Sequence, residues 1–346
     1  MPARIVCLSP YSKKQVEDLL AGRHAVEVVT VPDPPAPEAV LRECTLAELV
    51  IGDKRHAHRL PREVLQHMTR CLLIQMPAVG YDVIDDRAAA DFGIAVANAA
   101  GYNRDAVADW TVMAILNLIR RGAWGDRRLR QGGWPKADMM GRELGALTVG
   151  IVGLGNVGSA LATRLLAFGS RVLYADVVEK SFAGAERVSF GELLELADVV
   201  CVHVPLGAET HHLFDAEALA RMREGAYLIN ASRGPVVDEK ALVAALESRH
   251  LGGAALDVFE QEPTPSDNPL RRMENVFFSP HVGGATLEAE ARVLEVVRDN
   301  LTRVLDGDEP SNVVNGVRLG ARLRGSMPSP RPSPAHAGEG DRSELT

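Results

Sequence analysis

Short apolar runs alternate with helical-period segments along most of the chain. Over residues 1–97 the runs "RIVCL", "AVEVV", "AELVIG", "CLLIQ" and "GIAVA" read as strands, and segments near 12–20, 38–44, 61–68 and 83–91 read as helices between them. Such alternation predicts parallel pairing in an α/β sheet. "VPDPPAP" (31–37), with proline at four of its seven positions, reads as a rigid loop. A second set begins near residue 147: "LTVGIVG", "RVLYAD", "ADVVCVHV", "GAYLINAS", "GGAALDVF" and "NVFFS" give six strands, the first five separated by helical patterns. That count predicts a complete doubly wound fold of the dinucleotide-binding type.

Two helices are expected to flank the second set. "DAVADWTVMAILNLIRR" (105–121) is apolar over most of its circumference and reads as buried, with "RRLRQGGWP" (127–135) as the loop that follows. At the other end the period predicts a helix over about 287–305, with Val293, Val297, Leu301, Val304 and Leu305 on its inner face. Thr286 suits its N-cap, and Glu288 and Glu290 suit its positive start. If this helix returns to the first domain, the two helices form a hinge. The expected organisation is therefore a substrate-binding domain from 1–98 and 285–315, a dinucleotide-binding domain over 99–284, and a low-complexity tail over 320–346. The Pro-, Ser- and Gly-rich end of that tail (324–346) lacks the apolar surface needed to offset its ordering entropy, so disorder is expected there.

Composition narrows the function. The 346 residues suit roughly two domains, and the 46% of them that are hydrophobic can fill two cores. With 38 basic against 46 acidic residues the net charge is −8, which argues against a nucleic-acid partner. Cys7, Cys44, Cys71 and Cys201 form no C-x-x-C pair and read as buried thiols in a reducing compartment. The start "MPARIVCLSP" has too short an apolar run for a signal peptide and no stretch has membrane-spanning length, so a cytoplasmic protein with no membrane partner is expected.

"TVGIVGLGNVG" puts Gly153, Gly155 and Gly158 in G-x-G-x-x-G spacing at a strand-to-helix junction. The first glycine permits the tight turn, the second lets a pyrophosphate approach the backbone, and the third allows close helix–strand packing. The next strand ends in Asp176, eighteen residues past Gly158, where an acid can accept both ribose hydroxyls of NAD and repel the 2′-phosphate of NADP. Val177 and Val178 follow, so no arginine stands ready for that phosphate and NAD is expected rather than NADP.

Ligands bind such sheets at the carboxyl ends of the strands. Arg233 follows the fourth strand of the second set, Asp257 and Glu262 the fifth, and His281 the sixth. Arginine offers a planar fork for a carboxylate, and histidine titrates nearest to neutrality, which suits a proton donor and acceptor. His211 and His212 are adjacent and are expected to diverge, so no metal site is read there. Lys54, Arg55, His56 and His58 follow the third strand at the ligand edge. They suit either a solvated basic loop or a second acidic group on a substrate.

Taken with "HVPLGAETHHLF", "LINASRGPVVDEKALVAALE", "GGAALDVFEQEP" and "NVFFSPHVGGAT", these motifs resemble the D-isomer-specific 2-hydroxyacid dehydrogenases over most of residues 45–315, most strongly over 145–290. The resemblance implies two doubly wound parallel-sheet domains, a flavodoxin-like substrate domain and a Rossmann dinucleotide domain, with a hinge cleft. It implies NAD-dependent hydride transfer to or from C2 of a small 2-oxo or 2-hydroxy acid, with glyoxylate, hydroxypyruvate and phosphoglycerate-type substrates open, and a homodimer. An alternative within the resemblance is an NAD(H)-sensing corepressor. His281 is implied as the acid/base, Glu262 as the partner that raises its proton affinity, and Arg233 as the group that binds and polarises the substrate. Backbone N–H groups of Val79 and Gly80 are implied to hold the substrate carboxylate, with Asn103 against the substrate. Cofactor contacts are implied at Gly153, Gly155, Asn156, Val157, Gly158, Asp176, Val204, Pro205, Thr210, Ala231, Ser232, Gly283 and Gly284, with Asp257 beside the nicotinamide carboxamide. Asp109 stands where the family usually has Glu.

Overall fold

The computed structural model describes residues 2–20, 23–31, 36–320 and 322–323. Four residues of the proline loop (32–35) and the tail expected to be disordered (324–346) lie outside these. The chain divides into two compact units, one of residues 1–100 with 293–346, the other of residues 101–292.

Unit 1 runs β1 (Ala3–Cys7), α1 (Lys13–Leu19), β2 (Val26–Thr30), α2 (Pro37–Thr45), β3 (Leu49–Ile51), α3 (Arg62–Leu65), β4 (Leu73–Gln75), α4 (Asp86–Asp91) and β5 (Ala95–Ala97). All five strands pair in parallel in the order β2-β1-β3-β4-β5. β1, β3, β4 and β5 are buried on both faces and carry near-continuous apolar runs, whereas β2 at the sheet edge exposes Glu27 and Thr30. Val6, Val50, Ile74 and Val96 face α2, α3 and α4. Ile5, Ile51, Leu73 and Ala97 point the other way, onto Val16 of α1 and onto Val297, Leu301 and Val304 from the end of the chain. A buried Asn300 Nδ2 donates to Gln75 Oε1 at 2.6 Å, which fixes that last helix on the sheet with a bond no hydrophobic period predicts. Arg322 and Leu323 are packed rather than loose: Leu323 is buried, and the Arg322 guanidinium donates to the Gly93 carbonyl.

Unit 2 begins with α5 (Arg104–Arg120) and α6 (Gly122–Arg130). It continues with β6 (Thr148–Val152), α7 (Asn156–Ala167), β7 (Arg171–Ala175), β8 (Ala185–Arg187), α8 (Phe190–Leu196), β9 (Val199–Val202) and α9 (Ala216–Arg221). It ends with β10 (Tyr227–Asn230), α10 (Glu239–Glu247), β11 (Gly253–Leu256), β12 (Val276–Phe278) and the first turns of α11 (Leu287–Asp306). The seven strands are all parallel in the order β12-β11-β10-β9-β6-β7-β8. One face packs on α8, α9 and α10 through Leu193, Leu219 and Leu242; the other packs on α5 and α7 through Ala114, Ile115, Leu161 and Leu165.

Three features depart from the sequence reading. β8 is a seventh strand; its residues Ala-Glu-Arg carry no apolar signal, and it is held on the sheet edge by pairing with β7 and by the Arg171–Glu186 ion pair at 2.8 Å. α6 takes up the first four residues of the expected 127–135 loop and has no buried residue. α5 is buried on one side only, with Met113 41% exposed. Thr286 caps α11 as expected, its hydroxyl accepting from Ala289 N at 3.1 Å.

Candidate active site

The order of strands in unit 2 places β6 between β9 and β7, so the chain direction across the sheet reverses beside β6. A crevice forms at such a point. Gly153 turns out of β6 with φ +96°, and a side chain there would lie 2.7 Å from the His203 carbonyl. A Cβ on Gly158 would fall 2.2 Å from the Gly153 carbonyl, so α7 can sit on the turn only with glycine there. At Gly155 nothing stands within 4 Å of a Cβ position, which leaves open space over the α7 N-terminus. Unpaired N–H groups and the positive helix end make that space an anion cradle, and the residues fit a dinucleotide pyrophosphate.

Asp176 follows β7, and its carboxylate accepts from Leu154 N at 2.7 Å and Val178 N at 2.8 Å. Each oxygen keeps a lone pair for a ribose hydroxyl. The fold adds two cations that the local sequence did not suggest. Lys180 Nζ stands 3.7 Å from the carboxylate, and Arg187 on β8 donates to the Asp176 carbonyl at 3.1 Å. Removing the acid leaves Lys180 unopposed. Asp176→Ala should therefore shift the NADPH-to-NADH affinity ratio about tenfold toward NADPH, one lost or gained charged contact being worth about that much. An unchanged ratio in fluorescence titrations with both cofactors would remove Asp176 from the ribose.

The three candidate reacting groups sit on the ends of β10, β11 and β12, which are neighbours in the sheet. Two buried polar residues shape their loops. Asn230, 1% exposed at the end of β10, donates to the Arg233 carbonyl at 3.0 Å and accepts from Ser232 N at 3.0 Å. Asp257, 2% exposed just past β11, accepts from Val282 N at 2.9 Å, Gly283 N at 2.6 Å and the Ser279 hydroxyl, while its carbonyl accepts from His281 N at 2.8 Å. Asp257 thus builds the histidine loop. His281 itself has φ +55°, a left-handed conformation costing a non-glycine residue roughly 1–2 kcal/mol, so that loop must be over-determined to hold it.

Glu262 Oε1 accepts from Phe259 N at 3.0 Å, and Oε2 lies 2.7 Å from His281 Nδ1. Burial pushes this carboxyl up, but the bond and charge of His281, the Phe259 N–H and the Arg233 charge outweigh it and hold the group below the usual carboxylate range. An ionised carboxylate only accepts, so Nδ1 carries the hydrogen and Nε2 is the nitrogen free to exchange a proton. Both side chains stay about 40% open to solvent, His281 at 41% and Glu262 at 37%. The contact leaves one ring atom of the pair, Nε2, without a bond to Glu262.

Other expected residues find different surroundings. A Cβ on Gly283 would strike Asp257 Oδ2 at 2.8 Å, and one on Gly284 would strike Asn103 Nδ2 at 2.7 Å, so side chains of this chain already require both glycines. Asn103 Oδ1 is buried without a partner, as is His203 Nε2 just past β9. Burial pushes the His203 imidazole down to about 4, leaving it neutral. The Thr210 hydroxyl closes its own loop, donating to the Pro205 carbonyl at 2.6 Å and accepting from Gly207 N at 2.8 Å. Asp109 pairs with Arg164 of α7 at 2.6 Å. His211 and His212 do not diverge: their rings lie 4.1 Å apart, and among the described residues no cluster suits a metal ion. The carboxyl-end signal could have found Asn230 and His203, each a polar residue closing an apolar strand.

In unit 1, Val79 and Gly80 lie on the loop after β4, where Asn98 Nδ2 donates to the Val79 carbonyl at 2.8 Å. The basic loop after β3 abuts it, with His56 Nδ1 3.7 Å from Asp82. A fully buried Asp53 carboxylate shapes that loop, accepting from Arg55 N, Ala57 N, His58 N and, at 2.7 Å, His58 Nδ1. His58 is therefore a core residue and not a surface contact.

Residues 112–283 match the family model for the D-isomer specific 2-hydroxyacid dehydrogenase, NAD binding domain. A glyoxylate reductase of Thermofilum pendens is 42% identical over 74% of this chain and 78% of its own. A solved structure of a Thermus thermophilus protein superposes with TM-score 0.82 at 36% identity, covering 90% of this chain and 99% of that one. A D-lactate dehydrogenase from Aquifex aeolicus complexed with NAD and lactic acid gives 0.79 at 30% identity, covering 90% and 99%.

Proposed function

We propose a reaction and a set of residues from one premise: the chain belongs to the D-isomer-specific 2-hydroxyacid dehydrogenase family. It is an NAD-dependent oxidoreductase acting on the CH–OH group of a 2-hydroxy acid, or in reverse on a 2-oxo acid. The proposed substrate is a small 2-oxo acid of glyoxylate or hydroxypyruvate size. The carrying observation is the 2.7 Å pair of Glu262 and His281 Nδ1, beside the arginine loop.

Bound NAD supplies and takes up the hydride. In reduction, protonated His281 donates from Nε2 to the carbonyl oxygen as the alkoxide forms; in oxidation, neutral His281 accepts the hydroxyl proton at the same atom. Glu262 holds the ring in one tautomer and balances its charge. Arg233 engages the carboxylate with its fork and draws electron density from the oxo group. The backbone N–H groups of Val79 and Gly80 are the proposed anion holders of unit 1. The relatives matched along most of the chain carry enzyme names, which favours a catalyst over a corepressor.

A second reading within the same chemistry is a substrate with a further acidic group, favoured by Lys54, Arg55 and His56 on the Asp53-braced loop. Purified protein with NADH should oxidise it in the presence of glyoxylate, hydroxypyruvate or phosphohydroxypyruvate, and the order of kcat/KM separates the two readings. NADH that binds but is oxidised with none of them would sink the enzyme reading.

A homodimer through unit 2 is part of the proposal. A groove of 930 Å³ runs beside α5, α6 and α7, lined by Val112, Met113, Leu116, Ala123 and Phe168. Met113 and Phe168 on its lining are 41% and 49% exposed, and exposed apolar patches mark interfaces. Sedimentation should give a two-chain mass that Met113→Lys with Phe168→Lys reduces to one; a single-chain mass for the unaltered protein contradicts it.

A further inference from the structure

We propose that His212 and Glu260 form a clasp that sets the position of Glu262, which makes His212 a positioning residue for proton transfer; the inference rests on the assignment of Glu262 and His281 above. His212 Nε2 lies 2.8 Å from Glu260 Oε1. The same Glu260 oxygen accepts from Glu239 N at 3.3 Å, and Glu260 N donates back to Glu239 Oε1 at 2.7 Å. Asn268 Nδ2 donates to the other Glu239 oxygen at 2.9 Å. Three loops are joined in this way: the one after β9, the start of α10 after β10, and the acid loop after β11.

The join lies close to the proposed chemistry. Glu260 is two residues from Glu262, and Phe259 N between β11 and Glu260 is the donor that holds Glu262 Oε1. A Cβ on Gly234, next to Arg233, would lie 1.9 Å from the Phe259 carbonyl carbon and 2.4 Å from Glu260 N, so the arginine loop rests directly on the acid loop's backbone. A shift at Glu260 therefore moves both.

The charges explain why a histidine suits this place. Glu260, Glu239 and, at 4.0 Å from His212 Nδ1, Asp238 are three acids gathered within a few residues. His212 is the basic group in contact with two of them, with the His211 ring stacked on its face. Its φ of +50° aims the ring across at Glu260 from a strained turn whose N–H is tied to the Pro235 carbonyl at 2.8 Å. Position 212 keeps a conformation that few side chains adopt, and its imidazole gives the acid loop a hydrogen-bonded anchor on a carboxylate.

His212→Asn tests this, because asparagine tolerates the left-handed backbone and is too short to replace the Nε2 bond. It should lower kcat for reduction about tenfold, as expected for a small misplacement of a reacting group, and move the pH of half-maximal reduction downward. NADH affinity and Tm should stay near those of the unaltered protein. Glu260→Gln keeps the acceptor oxygen and should retain kcat within about threefold, a neutral bond being roughly half as strong as a charged one. The clasp is overturned if His212→Asn leaves kcat and the pH profile unchanged, or if its loss of rate comes with matching losses in Tm and NADH affinity. His281→Ala in the same assay separates the premise: turnover like the unaltered protein there overturns the assignment of His281, whereas an inactive His281→Ala beside a fully active His212→Asn overturns the clasp alone.

Discussion

His281→Ala is expected to lower kcat for NADH-linked 2-oxo acid reduction by about 10²- to 10⁴-fold, the usual worth of a positioned general acid. The NADH dissociation constant should stay nearly constant, because the glycine turn and Asp176 stand on β6 and β7 while His281 stands beyond β12. The backbone at 281 complicates the reading, since alanine also dislikes φ +55°. His281→Asn answers this: it tolerates the conformation, has no transferable proton near neutral pH, and should be as inactive as the alanine variant. An asparagine variant with full activity would assign the alanine effect to strain and remove His281 from the chemistry.

Arg233→Gln should lower kcat/KM by about 10²-fold, since a charged hydrogen bond is worth about 1.5–3 kcal/mol and the fork is lost with the charge. Arg233→Lys should recover part of this, because the charge returns without the planar pair of donors. The loop itself should survive, as Asn230 holds the Arg233 main chain through its carbonyl and not through the guanidinium. Equal kinetics for the unaltered protein and Arg233→Gln would leave the substrate carboxylate to other groups.

Much of this architecture was legible in the sequence. The twelve parallel strands include eleven that announce themselves as apolar runs, most of them because a strand buried on both faces has no room for alternation; the half-exposed edge strand β2 is legible from its three valines instead. β8 and α6 were not legible for the opposite reason. Ala185, Glu186 and Arg187 are held by an edge pairing, and α6 is held by Trp124 Nε1 and Arg128 bonding Glu274 at 3.1 and 2.6 Å, about 150 residues along the chain. Neither tie leaves a periodic trace. In the site, the positions of Arg233, Glu262 and His281 at successive strand ends could be read, but the partners behind them could not. The resemblance implies Asp257 as a cofactor contact, and the structure adds that its carboxylate folds the histidine loop. His56 and His58 looked alike in sequence, and only the buried Asp53 carboxylate distinguishes the core histidine from the surface one.

The central claim is that Glu262 and His281 act as one proton-transfer pair. Glu262 is held below the usual carboxylate range, so it is charged through the neutral region, and the stabilisation it draws from its partners is present above its unfolded value and lost as pH falls through the folded one. Reduction needs protonated His281 and should fall as pH rises. Removing the neighbouring negative charge favours the neutral imidazole. The decisive measurement is the pH profile of kcat/KM for 2-oxo acid reduction in Glu262→Gln beside the unaltered protein. The account predicts that the falling limb moves to lower pH. A limb at the same pH in both proteins would contradict it.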